Sequence, residues 1–318
     1  MMIMTMKTIS ISMEEYFIKR TTCAELMGYL LSPATVLFGP WISLETYTIY
    51  YIRHMKLNWK WAVKIAELFN YAMIHLALIN YFDAYLIPVL TIRSWNVAFI
   101  VPKVTQNAFA FRASNYYVGY MAEFTMITAG FNAYHHFDPQ QRWRYPVTRA
   151  LTVEFPRSMD VAVQNWNIPA YHFLVQNIYS PFAEINKTSA VLMSFLVTML
   201  IHGLNIRTTV VLLSLGIWTY TQEIIQDKLA MRLSSCCRIY ACRAGCGHRL
   251  KFWHPITLVI NGINMFLNIL HLVFTGHIMH KDFDGSTVWD LCRIWRHDFG
   301  LLSHLIIVIW FCFMLYVA

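Results

Sequence analysis

The chain has 318 residues, of which 57% are hydrophobic and only 13% are charged. An average soluble domain carries about 25% charged residues, and soluble cores seldom contain uncharged runs near ~18 residues, so this composition predicts a membrane protein. The net charge is +8, but the basic residues are scattered between apolar segments rather than gathered on one polar domain. This distribution favours membrane topology over nucleic-acid binding, and we expect no nucleic-acid partner.

Several apolar runs approach the ~20 residues that a helix needs to cross the hydrocarbon core. In chain order they are 26–44, 65–90, 95–111, 117–133, 188–220, 253–279 and 301–318. The first run contains Pro33, Gly39 and Pro40, which favour a broken or re-entrant element over a straight span. The pattern therefore predicts an all-α, polytopic membrane helix bundle with broken helices.

The run at 188–220 is too long for one upright helix. It is interrupted by His202, Gly203, Asn205 and Arg207. We therefore predict two helices with a polar joint between them.

Two segments are too polar to span a membrane. Residues 134–187 mix charges with aromatics, which predicts amphipathic helices and loops at the membrane face or in a polar cavity. Residues 227–251 contain one acid, Asp227, and six basic residues, Lys228, Arg232, Arg238, Arg243, Arg249 and Lys251. The positive-inside rule places this basic loop in the cytosol. Since the chain has neither an internal repeat nor a flexible linker, we predict one membrane domain over 1–318.

His202 is the first candidate catalytic residue. The fourteen residues from Thr188 to Ile201 carry no charge, which predicts that the imidazole lies deep in apolar surroundings, where a neutral form can accept a hydroxyl proton. Phe195 and Thr198 share a helical face with it and would line a pocket. His75, His271, His277 and His304 also lie in apolar runs, however, and intramembrane histidines often only bond a neighbouring helix.

The segment 153–174 contains a second group of candidates. Arg157 and Asp160 are spaced to pair as i and i+3, and Trp166 and Asn167 precede the helix-breaking Pro169. The indole would form an apolar wall, and the carboxamide could donate to a thioester carbonyl or oxyanion. The alternative is a tryptophan at the membrane interface and an asparagine that caps a turn.

The basic loop also contains clustered thiols. Cys237, Cys242, Cys246 and His248 are the candidate ligands of a zinc ion, but their short spacings do not match the paired CxxC pattern. Ordinary thiols or reversible acylation are the alternatives that we favour, and we expect no metal.

The WNIP segment at 166–169, followed by LIHGLN at 200–205, resembles the membrane-bound O-acyltransferase superfamily, whose members carry an Asn or Asp and, some thirty residues later, an intramembrane His. Asn167 and His202 occupy these positions. More narrowly, MGYLLSPATVLFGPWIS at 27–43, VTRALTVEFPRSM at 147–159 and WNIPAY at 166–171 resemble the porcupine branch of that superfamily.

This resemblance implies a multi-pass enzyme of the endoplasmic reticulum membrane that transfers a monounsaturated fatty acyl group from acyl-CoA to a serine of Wnt proteins, as Wnt secretion and signalling require. Palmitoleoyl-CoA would enter a central tunnel from the cytosol as co-substrate, without a further cofactor, and the partners would be Wnt proteins, acyl-CoA and membrane lipids. His202 would be the base and Asn167 would polarise the thioester. Trp166 would line the tunnel, and Arg157 would hold its segment or contact CoA.

The resemblance has two departures. Members of the branch have further membrane helices before the position of Met6, so we expect that the chain is incomplete at its N-terminus or has lost part of the bundle. Phe195 and Thr198 stand where relatives have Tyr and Ser. The alternatives are a membrane O-acyltransferase for a lipid or secreted peptide, an inactive truncated homologue that binds acyl-CoA or Wnt, and a transporter with coupling histidines.

Overall fold

The computed structural model of the chain describes residues 2–14, 18–52, 59–81, 84, 97–130, 146–243, 245–280, 287–297 and 300–317. Within these ranges helices are the regular elements, and the one β-bridge joins Ser235 to Leu250. The prediction of an all-α protein is therefore confirmed. The helices are α1 (Met2–Met13), α2 (Cys23–Leu31), α3 (Pro33–Val36), α4 (Leu44–Ile52), α5 (Trp59–Tyr81), α6 (Val97–Thr128), α7 (Ala150–Glu154), α8 (Met159–Trp166), α9 (Ile168–Leu174), a π-turn (Val175–Tyr179), α10 (Ser180–Ala183), α11 (Lys187–Ile201), α12 (Ile206–Leu233), α13 (Pro255–Met279), α14 (Val288–His297) and α15 (Gly300–Val317).

Two helices in the described part of the chain, α5 and α13, are long and apolar enough to cross a membrane. A third span is possible if α14 and α15, which are bent by 74°, are counted together. Helix α11 is apolar but has only 15 residues. These helices agree with the predicted membrane protein.

The prediction of two separate helices at 95–111 and 117–133 is wrong, because α6 runs through both as one helix of 32 residues. Arg112 lies between these two apolar runs. Its guanidinium forms a bidentate ion pair with Glu154, with Nε 2.7 Å from Oε1 and Nη2 2.9 Å from Oε2. A charge with a carboxylate partner can stay inside a packed helix, so the helix does not end there.

The predicted break in 26–44 is confirmed, since α2 ends at Leu31, α3 ends at Val36 and Gly39 has a φ of +84°. Lys7 stabilises this break. Its ammonium donates to the carbonyl oxygen of Tyr29 at 2.6 Å and to Thr35 Oγ1 at 2.7 Å. The last carbonyls of a helix lack intrahelical partners, so the lysine caps α2 from another segment. Lys7 is fully buried, and burial lowers the pKa of its ammonium to about 8.

The predicted break in 188–220 is also confirmed. Helix α11 ends at Ile201, Gly203 and Leu204 have φ of +88° and +53°, and α12 begins after Asn205. The side chain of Asn205 caps α12 by accepting a hydrogen bond from Arg207 N at 3.0 Å. The polar joint is therefore a turn with left-handed backbone between two capped helices.

The residues group into two compact units, one comprising Met1–Leu78, Ala113–Arg149 and Trp166–Leu204, the other Ile79–Arg112, Ala150–Asn165 and Asn205–Ala318. We call them the first and second unit; the single domain over 1–318 stays a prediction. In the second unit, Trp218 Nε1 donates to Asn268 Oδ1, and Trp310 Nε1 donates to Asn264 Oδ1, each at 2.9 Å. These hydrogen bonds join α12, α13 and α15, as polar side chains commonly do between membrane helices.

Candidate active site

Asn167 lies at the beginning of α9, in the first unit. It has φ −144° and ψ 88°, so it is the residue before the helix, and Pro169 occupies the first turn, where a missing amide donor costs nothing. The backbone N–H of Ile168 donates to Val147 O at 2.9 Å. The capping geometry and this tie to residues 146–149 fix the position of Asn167.

One of the two polar atoms of the Asn167 carboxamide, the oxygen, forms a hydrogen bond within the protein. Its Oδ1 accepts a hydrogen bond from Ala170 N at 3.1 Å, as the sequence alternative of a capping asparagine predicts. Among the described residues the amide nitrogen, Nδ2, has no protein partner. Because the cap orients the side chain, its two N–H donors are held ready for an external carbonyl oxygen.

His202 is the residue at which α11 ends, and its backbone N–H donates to Thr198 O and Leu200 O. The position of the imidazole deep in apolar surroundings stays a prediction: partial burial lowers the pKa of the His202 imidazole, although the side chain is exposed at the surface of the described chain. The physical reason for the exposure is that the chain turns immediately afterwards, at Gly203 and Leu204. A leucine at positive φ costs about 1–2 kcal/mol, so the backbone beside His202 is strained. Within the described ranges no side chain binds either ring nitrogen, so the imidazole can accept a proton.

Asn167 and His202 belong to elements of the same unit. Phe173, Met6 and Trp41 form a buried cluster, against which Ala170 and Ile201 pack. Ala170 follows Asn167 by three residues, and Ile201 directly precedes His202. The start of α9 and the end of α11 therefore contact one common core.

Trp166 packs against aromatic side chains of the first unit. Its ring centroid lies 6.1 Å from that of Tyr116, which in turn lies 5.5 Å from His75. The imidazole of His75 bonds Tyr71 O at 2.7 Å, one turn away. His75 thus bonds its own helix rather than a neighbouring one, so its role is structural in a different way from the one that we considered. Trp166 forms an aromatic wall, and the tunnel itself stays a prediction.

Phe195 and Thr198 lie on α11 and are half-buried. The hydroxyl of Thr198 donates to Ser194 O at 2.6 Å, which leaves its oxygen lone pairs as acceptors. With His202 the two residues follow the i, i+3, i+7 spacing of one helical face. Their role in binding substrate stays a prediction.

Arg157 belongs to the second unit and contacts the basic loop. Its Nη2 donates to Cys236 O at 2.7 Å and its Nε to Arg238 O at 3.1 Å, and the guanidinium lies 5.5 Å from the ring centroid of Phe252. Its hydrogen bonds therefore go to carbonyl oxygens rather than to Asp160, the i+3 partner that the sequence suggested. Burial lowers the pKa of Arg157. Of the two predicted roles, the structure supports holding a segment, and contact with CoA stays a prediction.

The basic loop brings four possible metal ligands together. Cys242, Cys246 and His248 of the predicted set meet Cys236, and their ligand atoms all lie within 4.8 Å of one another. Cys237 is not part of this group, because it is buried against Ile225 and Leu229. Hydrogen bonding from His248 lowers the pKa of the Cys246 thiol to about 6, whereas burial raises the pKa of Cys237. Cys236 is thus the ligand candidate that the sequence did not single out.

Comparison with known proteins adds two findings. The model of the membrane-bound O-acyltransferase family matches residues 4–228. The chain is also similar to proteins named protein-serine O-palmitoleoyltransferase porcupine: it is 31% identical over 284 residues to that of Mus musculus, 30% to that of Homo sapiens and 27% over 304 residues to that of Anopheles gambiae. These alignments cover 83%, 83% and 88% of this chain and 59%, 59% and 60% of the relatives.

The chain thus spans about three fifths of the length of these relatives. The family match extends over most of the chain and includes both Asn167 and His202. The chain therefore belongs to the membrane-bound O-acyltransferase family.

Proposed function

We propose that the chain carries the acyl-transfer site of a protein-serine O-palmitoleoyltransferase that moves a palmitoleoyl group from acyl-CoA to a serine of Wnt proteins, in the endoplasmic reticulum membrane. The observation that carries this proposal is that Asn167 and His202 lie on elements of one unit that contact a common buried cluster. Among the described residues, neither the amide nitrogen of the capped Asn167 nor the imidazole of His202 has a side-chain partner. The family match and the names of the similar proteins support the same chemistry.

The reaction divides between the two residues. His202 takes the proton of the serine hydroxyl as its oxygen bonds to the thioester carbon, and Nδ2 of Asn167 donates to the carbonyl oxygen as negative charge develops there. The carbon–sulfur bond then breaks, and the proton held by His202 goes to the CoA thiolate. The products are an acyl-serine ester and CoA thiol, and the balance requires neither a metal nor an oxidant.

The exposure of His202 is consistent with this role. A base that acts on a folded protein must be reached by a serine on a loop of that protein, which a histidine buried inside a helix could not allow. Placement at the end of α11, beside a turn with left-handed backbone, leaves room for that approach. Phe195 and Thr198, on the same face, would then contact the acyl chain or the serine loop.

The test compares His202→Ala with His75→Ala, a histidine of the same unit whose ring bonds its own helix. Loss of a general base should lower transfer by about 10²–10⁴-fold, whereas His75→Ala should keep it within a few fold. Acylated Wnt would be measured in cells that lack their own enzyme, with membrane insertion measured in parallel. Full transfer by the His202 variant would contradict the assignment.

A second measurement separates an enzyme from a binding scaffold. Photocrosslinking of an acyl-CoA analogue should persist in His202→Ala, because affinity comes mainly from the acyl chain, at roughly 0.8 kcal/mol per buried methylene. If the unmutated chain binds palmitoleoyl-CoA but never transfers it to a Wnt peptide, the chain is a scaffold and the proposal fails.

A further inference from the structure

The segment between α12 and α13, described at residues 234–243 and 245–254, forms a loop that brings three thiols and one imidazole together. Cys236 Sγ lies 3.4 Å from Cys246 Sγ and 3.6 Å from His248 Nδ1. Cys242 Sγ lies 3.5 Å from the same Nδ1. The ligand atoms of Cys236, Cys242, Cys246 and His248 therefore all lie within 4.8 Å of one another.

Three of the six distances between the ligand atoms are close to those of a tetrahedral zinc site, and the other three are at most 4.8 Å. Zinc binds sulfur at about 2.3 Å and imidazole nitrogen at about 2.0–2.1 Å, so a tetrahedron places sulfur atoms about 3.8 Å apart and sulfur and nitrogen about 3.6 Å apart. The sulfur–nitrogen distances of Cys236 and Cys242 to His248 match, and Cys236 and Cys246 need to separate by only a few tenths of an ångström. Three thiolates with one imidazole are a donor set that selects zinc over the hard cations.

The loop backbone holds Cys236 in place. Cys236 N donates to Leu250 O and Leu250 N donates to Ser234 O, both at 2.9 Å, so the two ends of the loop are joined next to the cluster. Cys236 O accepts from Arg157 at 2.7 Å and from Asn261 at 3.3 Å. These contacts orient one ligand of the cluster through its backbone.

Cys246 is also held in position by the loop. Cys246 N donates to Arg243 O at 3.2 Å in a turn that Gly245 permits with its φ of +82°. The ammonium of Lys251 contacts Cys246 O and lies 3.8 Å from Cys246 Sγ. Three thiolates and a divalent ion leave a net charge of −1, which the neighbouring ammonium and the other basic residues of the loop offset.

We propose that Cys236, Cys242, Cys246 and His248 bind one structural zinc ion, which joins the end of α12 to the start of α13. With four protein ligands the site is closed, so the ion has a structural role and takes no part in acyl transfer. The loop begins directly after Leu233 and ends at His254, the residue that caps α13. Zinc therefore fixes the connection between two long helices of the second unit.

The experiment measures metal in the purified full chain in detergent. We expect about one zinc per chain by mass spectrometry of the metal, and loss of that zinc in Cys236→Ala, Cys242→Ala and His248→Ala. Cys237→Ala is the matched control, because this neighbouring thiol is also buried but lies outside the cluster. The control should keep its zinc. Zinc well below one per chain, or equal loss in Cys236→Ala and Cys237→Ala, would overturn the proposal.

A second measurement does not depend on folding of the variants. Exchange of the unmutated chain with cobalt(II) should give the visible absorption of a tetrahedral ion and the charge-transfer band of thiolate ligands. Removal of the metal with a chelator should lower the thermal transition temperature, and zinc should restore it. If the three thiols and the imidazole take up no cobalt, and mass spectrometry finds Cys236 joined to Cys246 in a disulfide or the thiols acylated, the cluster is not a metal site.

Discussion

Asn167 combines two functions that substitution can separate. Its Oδ1 caps α9 through Ala170 N at 3.1 Å, and its Nδ2 is the proposed donor to the reacting carbonyl. Asn167→Asp keeps a capping oxygen and removes the amide donor, whereas Asn167→Ala removes both. A cap is worth about 0.5–2 kcal/mol, and aspartate caps as well as asparagine does. The alanine variant should therefore be less stable by about 1 kcal/mol, and the aspartate variant should stay within a few tenths.

Transfer should respond differently from stability. Loss of one donor to a developing oxyanion lowers kcat by about 10²–10³-fold, or about 2.7–4 kcal/mol, which is more than loss of the cap contributes. Because both variants lack the amide donor, both should lose transfer to a similar extent although only one loses stability. Acyl-CoA binding should fall only modestly in either variant.

The assay would follow transfer of palmitoleate from its CoA ester to a serine peptide derived from Wnt, with thermal unfolding in detergent measured on the same samples. Asn186→Ala is the matched control. Asn186 caps α11 by accepting from Thr188 N at 2.7 Å, and it is exposed. Its variant should lose about 1 kcal/mol of stability and keep its transfer rate. If Asn167→Asp transfers within about threefold of the unmutated chain, the side chain is only a helix cap and the reasoning about the donor is wrong.

The buried ion pair, the buried lysine and the basic loop can each be tested by substitution or labelling. Arg112→Met should cost about 3–5 kcal/mol because it removes the guanidinium of the bidentate ion pair with Glu154, and adding Glu154→Met should recover most of that stability. Asp227→Asn, in an exposed pair, should cost less than about 1 kcal/mol in the same thermal unfolding assay. Burial lowers the pKa of Lys7 from 10.5 to about 8, so the buried charge destabilises the fold fully below pH 8, and this cost disappears as the pH approaches 10.5. The free energy of unfolding of the unmutated chain, relative to that of Lys7→Met, should therefore rise between pH 8 and pH 10.5. A difference that does not change with pH would contradict the lowered pKa. A tag placed in 227–251 should react with a reagent added outside intact microsomes, because the basic loop is expected to face the cytosol. If the tag reacts only after detergent is added, the cytosolic placement is wrong.

The breaks in the long apolar runs could be predicted from the sequence because their causes are local. Two prolines and one glycine at 33–40, and a histidine, a glycine and an asparagine at 202–205, disfavour a continuous helix wherever the rest of the chain lies. The continuity of α6 could not be predicted in this way. In the sequence, Arg112 interrupts the apolar pattern of the helix. Only the structure shows that it pairs with Glu154, forty-two residues later.

In the candidate site, too, features with local causes could be predicted from the sequence, and features that depend on distant parts of the chain could not. The sequence alone indicates Asn167 and His202 as candidates, and it offers helix capping as an alternative role for Asn167. The exposure of His202 depends on the left-handed turn that follows it, which the sequence does not reveal. The choice between Cys236 and Cys237 also lies beyond sequence reasoning. Adjacent residues have nearly the same spacing to every other ligand, and only the path of the backbone decides which thiol enters the cluster and which enters the core.

The π-turn at Val175–Tyr179 lies on the path from Asn167 to His202, and Asn177 within it is buried and donates to Phe173 O at 3.0 Å. A π-turn holds one more residue than the α-helical turn it replaces. Removing that residue would rotate α9 by about 100° relative to the helices after the turn and shift it by about 1.5 Å. The orientation of Asn167 with respect to α11 is thus set by chain length as well as by chemistry. A relative that kept every side chain of the site but lacked one residue here would present its carboxamide in a different direction, and a comparison of motifs alone would not detect it.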